Sequence, residues 1–460
     1  MTLSARLNSV MRTPPLRFQV RGVRFLINHN GRAVLGDDMG LGKTYQAIAW
    51  MMLHPEVRPV VIVWPSTLKF NWQRELTLHA GLRSTVLEGR RPRPALLRRK
   101  ILIINYDILQ YWQRHLRNIR PGLLVIDECH RIMNRTAKRT RACLAIGRRT
   151  PHILALSGTP ILNHPIEFFP TLHLVAPKLF PSFWDYAFRY CKPHRGFKGR
   201  GWVFNGATNI EELHEKVSHV MIRRMKVDVM KHLPRKTRTV IPMDIDNRRE
   251  YRQAREDFLT WLGVHEGKRA VKRAMGAIAF VRLGALKTIA AKGKIDSICE
   301  WVEDWRAETG QKLILFTTHT SVLEAYHEAF PNAAVIQGKT SQANRTKQVH
   351  LFQTKPSCWL LIGNIRAAGE GLTLHAASTV VFAEIGWTPG EHDQAEDRVL
   401  RIGQTAGHVD AYYFIARDTV EEKVLNAIEQ KRTVCSKVID GEERNDVRVQ
   451  VLEGLMRGDV

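Results

Sequence analysis

The sequence is poor in cysteine, lacks long apolar runs and has too few acidic residues to balance its basic ones. No stretch reaches the roughly 18 uninterrupted apolar residues that a membrane span needs, and the N-terminus has no apolar signal-peptide core. The six cysteines contain no C-x-x-C pair, which disfavours a zinc site or a disulfide framework. These absences predict a cytosolic protein with reduced thiols and no membrane partner.

The charge balance favours a polyanionic partner. The chain has 70 Lys and Arg against 44 Asp and Glu, a formal net charge of +26. Such an excess creates a long-range positive potential that attracts nucleic acid. The alternative is a basic protein that is merely soluble, but nucleic acid is the stronger prediction. Charge alone does not separate DNA from RNA.

Apolar runs alternate with helix-like segments in two separate parts of the chain. The first part contains VRPVVIVWP, KILIINYD, GLLVIDE and PHILALSGTP, and the second, after residue 290, contains QKLILFTT, NAAVIQG, CWLLIGN, ASTVVFAEI and VDAYYFIA. Short and almost continuous apolar strands that alternate with helices indicate parallel sheets covered on both faces. A chain of 460 residues is long enough for two or three such domains.

The segment between these two parts has a different sequence pattern. NRREYRQAREDFLTWL places Tyr251, Ala254, Phe258 and Leu262 at helical spacing. MKHLPRKTRTVIP, with two prolines, is interpreted as the connector, so that the first boundary lies near residue 235. The last stretch, from about residue 418, is predicted to be a helical brace.

The segment AVLGDDMGLGKTYQAIAWMM is typical of a phosphate-binding loop. A strand end leads through glycines to Gly42, Lys43 and Thr44, and then to a helix. Backbone N–H groups at a helix N-terminus face phosphates, the lysine reaches the β/γ oxygens, and the Thr44 hydroxyl helps to hold Mg²⁺. The strict pattern has glycine where this chain has Asp37. The alternative is a glycine-rich turn with a solvated lysine.

A carboxylate pair strengthens the nucleotide interpretation. GLLVIDECH places Asp127 and Glu128 after an apolar strand, at the sheet edge where ligands bind in open α/β folds. Asp127 suits Mg²⁺ coordination and Glu128 suits polarisation of the attacking water. Alone, such a pair is more often a solvated turn. His130 is predicted to sense the γ-phosphate or to couple the lobes, and Ser157 of LALSGTPI to relay a nucleotide-dependent shift.

These motifs together resemble the motor of Swi/Snf-type DNA translocases in helicase superfamily two. LRFQVRGVRFL, GDDMGLGKT, DECH, LALSGTPI, MIRRMKVDVMKHLPRK and WTPGEHDQAEDRVLRIGQT carry the resemblance over nearly the whole chain. NHPIEFFP and FPSFWDYAFRYC are similar to the compact annealing-helicase (HARP-like) branch, in which short chains of bacterial or phage type occur. Departures include Cys129 within the DECH motif, Thr373 in place of asparagine, and VRLGALKTIAAKGK before Lys294.

The resemblance implies an α/β fold with two tandem RecA-like parallel-sheet lobes, helical insertions and a C-terminal helical brace. The expected organisation is an ATP-binding lobe at 1–235 with a helical insertion at about 165–220, a helical protrusion and linker at 236–293, a second lobe at 294–417, and the brace at 418–460.

The resemblance also implies ATP and Mg²⁺ as cofactors. The expected catalytic residues are Lys43, Asp127, Glu128, Arg398 and Arg401, with the two arginines three apart on one helical face as fingers from the second lobe. Thr44 and Asp127 are the expected metal ligands. The expected nucleotide-binding residues are Gln19, which would read adenine, Asp38, Met39, Gly40, Leu41, Gly42, Lys43, Thr44, Gly369, Gly371 and Gln394.

Expected DNA contacts are spread over both lobes. They are Ser66, Lys69, Trp72, Tyr106, Lys339, Thr340, Arg345 and Trp387. Most would contact phosphates without reading sequence. Trp387 has an equal alternative as a core residue. The basic and aromatic stretch 189–204 is predicted to be a further DNA grip, with a solvated loop as its alternative.

The leading functional hypothesis is a DNA-dependent ATPase that translocates along double-stranded or branched DNA and remodels DNA or protein–DNA complexes. One alternative is a strand-separating helicase, although the sequence offers no evident separation pin. The other is a nucleic-acid-binding scaffold with a degenerate ATPase. The expected setting is a monomeric motor in the cytoplasm of a bacterium or a phage-infected cell, with replication or repair proteins as further partners.

Overall fold

The computed structural model describes most of the chain outside its C-terminus. The described residues are 1–65, 71–161, 164–195, 201–204, 206–230, 235–265, 272–368, 372, 374–400, 404 and 406–429. They fall into two compact units, with the division between residues 231 and 232. Within these ranges no helix combines the length and apolar character that crossing a membrane requires. Most of the predicted brace, from residue 430 onwards, lies outside the described residues.

The first unit is built on a parallel sheet of seven strands in the order β3-β4-β2-β5-β6-β1-β9. A separate antiparallel hairpin joins β7 to β8. The strands are β1 (Arg32–Leu35), β2 (Val60–Trp64), β3 (Thr85–Val86), β4 (Ile101–Asn105), β5 (Leu123–Asp127), β6 (His152–Leu156), β7 (His194–Arg195), β8 (Trp202–Val203) and β9 (Met221–Ile222).

Helices cover both faces of this sheet. They are α1 (Leu3–Val10), α2 (Arg17–Asn28), α3 (Lys43–Leu53), α4 (Asn71–Ala80), α5 (Tyr106–Asn118), α6 (Lys138–Gly147), α7 (Phe169–Val175), α8 (Phe183–Tyr190), α9 (Ile210–Ser218) and α10 (Lys226–Val229), with 3₁₀ turns at Pro94–Arg98, Cys129–Ile132 and Pro165–Phe168. Along β2, Val61 and Val63 enter one core while Val60 and Ile62 enter the core on the opposite face. Burial on both faces explains why the strands are continuous apolar runs.

The second unit repeats this architecture with a parallel sheet in the order β10-β15-β14-β11-β13-β12. Its strands are β10 (Arg235–Met243), β11 (Leu313–Thr317), β12 (Ala334–Ile336), β13 (Leu360–Asn364), β14 (Thr379–Phe382) and β15 (His408–Ala416). Its helices are α11 (Arg248–His265), α12 (Lys272–Lys292), α13 (Ile295–Thr309), α14 (Thr320–Ala329), α15 (Gln342–Thr354), α16 (Ile365–Ala368) and α17 (Pro389–Glu396). Residues 420–429 are also helical and bury Val420, Val424 and Ile428 in the core of this unit.

One segment differs from its interpretation as a connector. Residues 235–243 form β10, which pairs with β15 over nine residues, from Arg235 opposite His408 to Met243 opposite Ala416. Pro242 lacks an N–H group, which is tolerated because β10 is an edge strand with one bonded neighbour. Pro242, one of the two prolines that suggested a linker, therefore lies at a sheet edge. The predicted domain boundaries otherwise stay predictions.

Candidate active site

The carboxyl end of β1 leads into a loop that ends at the N-terminus of α3. Gly40 and Gly42 have φ angles of 81° and 72°, in the left-handed region that glycine enters without strain. A Cβ atom on Gly42 would lie 2.5 Å from the Gln19 Nε2 atom, so the close approach of α2 also requires glycine there. The N-cap of α3 is Gly42, which has no side chain to cap the helix. The first N–H groups of the helix are therefore available to an anion.

The Lys43 side chain lies across this loop. Its Nζ atom donates to the Asp37 carbonyl at 2.8 Å and to the Asp38 carbonyl at 3.2 Å. Burial lowers the pKa of Lys43, and the carboxylates of Glu128 and Asp37 oppose that shift. The loop and the carboxylate pair predicted from the sequence thus act electrostatically on the same ammonium group.

Asp37 has a structural partner that explains how it replaces the glycine of the strict pattern. Its side chain is completely buried. The Arg224 Nε atom donates to Asp37 Oδ1 at 2.8 Å, a second Arg224 nitrogen contacts Oδ2, and Gln46 Nε2 donates to Oδ2 at 3.0 Å. A buried carboxylate is stable only when such donors surround it. Position 37 therefore holds an ion pair inside the first unit.

The segment after β9 forms hydrogen bonds with the phosphate loop. Arg223 donates to the carbonyls of Gly36 at 3.0 Å and Gly158 at 3.1 Å. The Asp38 N–H group donates to the Arg224 carbonyl at 2.9 Å, and the Lys226 N–H group donates to Asp38 Oδ2 at 3.3 Å. The sequence motifs assign no individual role to Arg223, Arg224 or Lys226. The available signal was the unusual Asp37, because an acidic residue in a buried loop requires a cationic partner.

The carboxylate pair lies at the carboxyl end of β5, one strand away from β6 and two from β1 in the sheet order. Asp127 Oδ2 accepts from Trp72 Nε1 at 2.8 Å, and Asp127 Oδ1 accepts from the Glu128 N–H group at 3.0 Å. Burial, with a further contribution from Glu128, raises the pKa of Asp127 to about 6. The pair is an anionic site whose charge a cation would stabilise.

Glu128 is connected to the next strand by a histidine. Its φ angle of 50° places it in the left-handed region, where a non-glycine residue is uncommon. His130 Nδ1 lies 3.4 Å from Glu128 Oε2 and 3.1 Å from the Ser157 hydroxyl, which is itself 3.5 Å from Oε2. A Cβ atom on Gly158 would lie 2.7 Å from the Met39 side chain. The segment after β6 therefore contacts both the carboxylate and the loop.

Gln19, which the resemblance assigns to adenine, contacts the phosphate loop. It is buried, its Nε2 atom donates to the Leu41 carbonyl at 3.4 Å, and its Oε1 atom accepts from the Leu16 N–H group at 3.0 Å. The structure thus brings together Gln19, the residues 38–44 and the pair Asp127 and Glu128 within the first unit. Its role towards adenine stays a prediction.

Two residues that are predicted to contact DNA are buried beside Asp127. Trp72 donates to its carboxylate, and the Tyr106 hydroxyl donates to the Asp127 carbonyl at 2.6 Å. The two residues are 0% and 3% exposed. Both residues therefore support the strand end that carries the carboxylates, and their DNA contacts stay predictions. Ser66 and Lys69 lie outside the described residues.

Arg398 lies beyond the end of the helix that was expected to carry the finger residues. Helix α17 ends at Glu396, and the Arg398 and Val399 N–H groups donate to carbonyls three residues earlier, at 3.1 and 3.2 Å. This tightening ends the helix before Arg398, so Arg398 does not lie on a helical face, and the role of both arginines as fingers stays a prediction. Arg398 is buried and donates to the Leu372 carbonyl at 3.3 Å. Gln394 is half-buried on α17, while Gly369, Gly371 and Arg401 lie outside the described residues.

The remaining predicted DNA contacts in the second unit differ in exposure. Lys339 has a 75% exposed side chain beside Glu324 at 3.6 Å, and the Thr340 hydroxyl accepts from the Gln337 N–H group at 2.9 Å. Arg345 is buried and donates to the Ala367 carbonyl at 3.2 Å. Trp387 packs against the core of the second unit, and the Lys287 ammonium nitrogen lies 4.2 Å from its ring centroid. Core packing is thus part of the role of Trp387.

Two parallel-sheet lobes with a phosphate loop and an adjacent carboxylate pair define a helicase-like core. The sequence matches the SNF2-related domain over residues 18–283 and the helicase conserved C-terminal domain over residues 293–403. The chain therefore belongs to the SNF2-related family. The predicted fold, with two tandem RecA-like lobes and helical insertions, is confirmed.

Several relatives are described as annealing helicases or chromatin regulators. The chain is 32% identical to human "DNA annealing helicase and endonuclease ZRANB3" over 460 residues, covering 96% of this chain and 42% of that protein. It is 32% identical to a Xenopus laevis "SWI/SNF-related matrix-associated actin-dependent regulator of chromatin subfamily A-like protein 1", covering 90% and 43%. The chain thus spans about two fifths of the length of these relatives. A solved "Sulfolobus solfataricus SWI2/SNF2 ATPase core in complex with dsDNA" is 25% identical, with a TM-score of 0.45 and 97% of both chains covered.

Proposed function

We propose that this chain is a DNA-dependent ATPase that translocates along double-stranded DNA and remodels branched DNA or protein–DNA complexes. The observation that carries the proposal is the carboxylate pair Asp127–Glu128, which acts electrostatically on Lys43 of the phosphate loop. Membership of the SNF2-related family supports a helicase-like ATPase. Similarity to a DNA annealing helicase supports DNA as the track.

The residues of the first unit fit ATP with Mg²⁺. The N-terminus of α3 and the Lys43 ammonium offer donors to phosphate oxygens. The Thr44 hydroxyl and the Asp127 carboxylate are hard oxygen ligands, and burial, rather than a missing partner, is the main cause of the raised pKa of Asp127. When bound, Mg²⁺ would neutralise the charge of the phosphates.

The side chains of this chain supply the remaining steps. Glu128 would orient the attacking water and accept its proton, and Lys43 would stabilise the charge that develops on the phosphate oxygens. His130 joins Glu128 to Ser157, so a shift of the segment after β6 would change the position of the base. Arg398 and Arg401 are proposed to complete the site as arginine fingers, which are worth roughly 10³–10⁵ in rate.

The test is ATP hydrolysis measured with duplex DNA, with single-stranded DNA and without DNA. We expect stimulation by duplex DNA, and displacement of a triplex-forming strand without unwinding of the duplex. Stimulation only by single strands would establish the strand-separating helicase instead. Absence of hydrolysis in the presence of each DNA would favour the scaffold with a degenerate ATPase.

Two variants separate chemistry from DNA binding. Glu128→Gln keeps the size of the side chain but removes the base, so hydrolysis should fall at least about 100-fold while DNA binding is retained. Lys43→Ala should also abolish hydrolysis and weaken ATP binding. Lys178→Ala serves as a control, because this exposed lysine of the first unit has no assigned role in ATP or DNA binding. Normal hydrolysis by Glu128→Gln would disprove its assigned role.

Other parts of the hypothesis rest on the resemblance alone. They are contacts with replication or repair proteins, a monomeric state, and a cytoplasmic setting in a bacterium or phage-infected cell. The relatives named above are animal proteins and give the last of these no support. Sedimentation of the purified chain with and without duplex DNA would test the monomeric state.

A further inference from the structure

An exposed aromatic patch lies on the first unit, away from the phosphate loop in sequence. Helix α8 and the hairpin β7–β8 bring its rings together, with centroid distances of 4.7 Å between Phe188 and Trp202 and 6.2 Å between Trp184 and Phe188. The patch consists of Phe183, Trp184, Phe188, Trp202 and Phe204.

The outer rings of the patch are unusually exposed for aromatic side chains. Trp184 is 50% exposed, Phe188 is 41% exposed and Trp202 is 36% exposed. Among the described residues, Tyr111 is the one other aromatic side chain in this range. Contiguous apolar surface of this kind usually marks an interaction site, because leaving it in water costs about 25 cal/mol per Å².

Folding of this region does not require the outer rings. The inner ring Phe183 contacts Phe169 at 5.4 Å, and Phe169 contacts Tyr186 at 5.3 Å. Phe169 and Tyr186 are buried in the core of the first unit. The inner rings therefore anchor α8 to the core, whereas Trp184 and Trp202 present much of their surface to solvent.

Basic residues surround the patch. The Arg135 guanidinium lies 3.9 Å from the Phe183 ring centroid, and the Arg195 guanidinium lies 4.1 Å from that of Trp202. Both arginines are exposed, as is Lys138 at the start of α6. The sequence 131–149 contains seven Arg and Lys residues and no acidic residue, and Asp185 is the one acidic residue in the sequence 181–204. The ligand of this surface is therefore an anion with flat apolar groups.

We infer that the aromatic patch binds single-stranded DNA by stacking unpaired bases on Trp184 and Trp202. Arg135 and Arg195 neutralise the neighbouring phosphates. Unpaired bases expose their faces to aromatic rings, whereas a duplex hides them inside its own stack. A duplex gains only the phosphate contacts here. The patch thus gives the protein a grip on an unpaired strand, which goes beyond the proposed translocation on duplex DNA.

The experiment compares two labelled DNAs of equal length by fluorescence anisotropy, without nucleotide. One is an oligothymidylate of about 20 nucleotides and the other is a blunt duplex. Because stacking contributes roughly 1–3 kcal/mol per base, Trp184→Ala combined with Trp202→Ala should weaken binding of the single strand about tenfold or more. Binding of the duplex should change by less than about twofold. The corresponding double substitution by phenylalanine should retain most of the affinity, since it keeps the rings.

Tyr111→Ala is the matched control, because this exposed aromatic residue lies on α5 outside the patch. Circular dichroism and thermal melting check that the variants are folded. Equal losses for both DNAs, or unchanged binding of the single strand, would overturn the inference. So would a change confined to self-association in sedimentation, which would make the patch an interface between copies. Duplex-stimulated ATP hydrolysis should persist in the alanine variant, so that this test and that of the proposed function fail separately.

Discussion

The ion pair between Asp37 and Arg224 provides a quantitative test of how the phosphate loop is held. Asp37 is completely buried, and the side chain of Arg224 is 12% exposed. Removing the guanidinium with Arg224→Ala would leave an uncompensated buried carboxylate, which costs about 3–5 kcal/mol. For a unit of this size the melting temperature should fall by roughly 6–20 °C. The KM for ATP should rise as well, because Asp37 belongs to the phosphate loop and would lose the guanidinium that holds it in place.

A double-mutant cycle distinguishes this pair from general damage. Asp37→Gly restores the strict glycine pattern and removes the buried charge, so Asp37→Gly with Arg224→Ala should be more stable than Arg224→Ala alone. Arg224→Lys should recover only part of the loss, since an ammonium cannot replace the two-pronged guanidinium. Arg24→Ala on the exposed side of α2 is the control. Strictly additive losses in thermal melting would refute the coupling that the geometry implies.

Two further predictions concern Asp127. Because its pKa in the folded protein, about 6, lies above the ordinary value of 3.8, the folded state binds the proton more tightly than the unfolded chain. The stability of the first unit, measured by urea titration, should therefore fall as the pH rises from about 4 to about 6. Mg²⁺-dependent ATP binding, measured in binding assays, should improve over the same range. Asp127→Asn should remove both trends. Trp72→Phe removes the donor to Asp127 Oδ2 and should shift the Mg²⁺ dependence of hydrolysis, measured by titration of the metal. Trp112→Phe loses a comparable bond to the Gly89 carbonyl and should leave that dependence unchanged.

The sequence predicted the interior strands well because burial on both faces imposes a continuous apolar run. Each such run coincides with a strand, including Leu123–Asp127 and Leu360–Asn364. The edge strands β9 and β10 were not predicted, because they carry a weaker pattern. β10 is rich in arginine and threonine and contains Pro242, and β9 is two residues long. Their pairing depends on distant partners, which a local pattern does not encode.

The residues of the loop and the carboxylate pair could be identified from the sequence because their chemistry requires fixed types at fixed spacing. The contacts that support these residues could not be identified from the sequence. Arg224 lies 187 positions from Asp37, and only the fold shows that a basic residue of the segment after β9 completes the buried charge. The same limit applies to the helical spacing assumed for Arg398, since the helix ends two residues earlier.

The solvent exposure of the aromatic residues could not be predicted from the sequence. Trp72 and Tyr106 were assigned to DNA by resemblance, yet both are buried and donate hydrogen bonds to Asp127. Trp202 lies in the stretch 189–204 that the sequence predicts to be a further DNA grip, and both Trp184 and Trp202 are exposed beside arginines. An aromatic ring can stack on a base only where its face reaches solvent. Exposure therefore favours helix α8 and its neighbouring hairpin as the place for base contacts. If Trp72→Phe altered binding of single-stranded DNA more than Trp184→Ala did, this division of roles would be wrong.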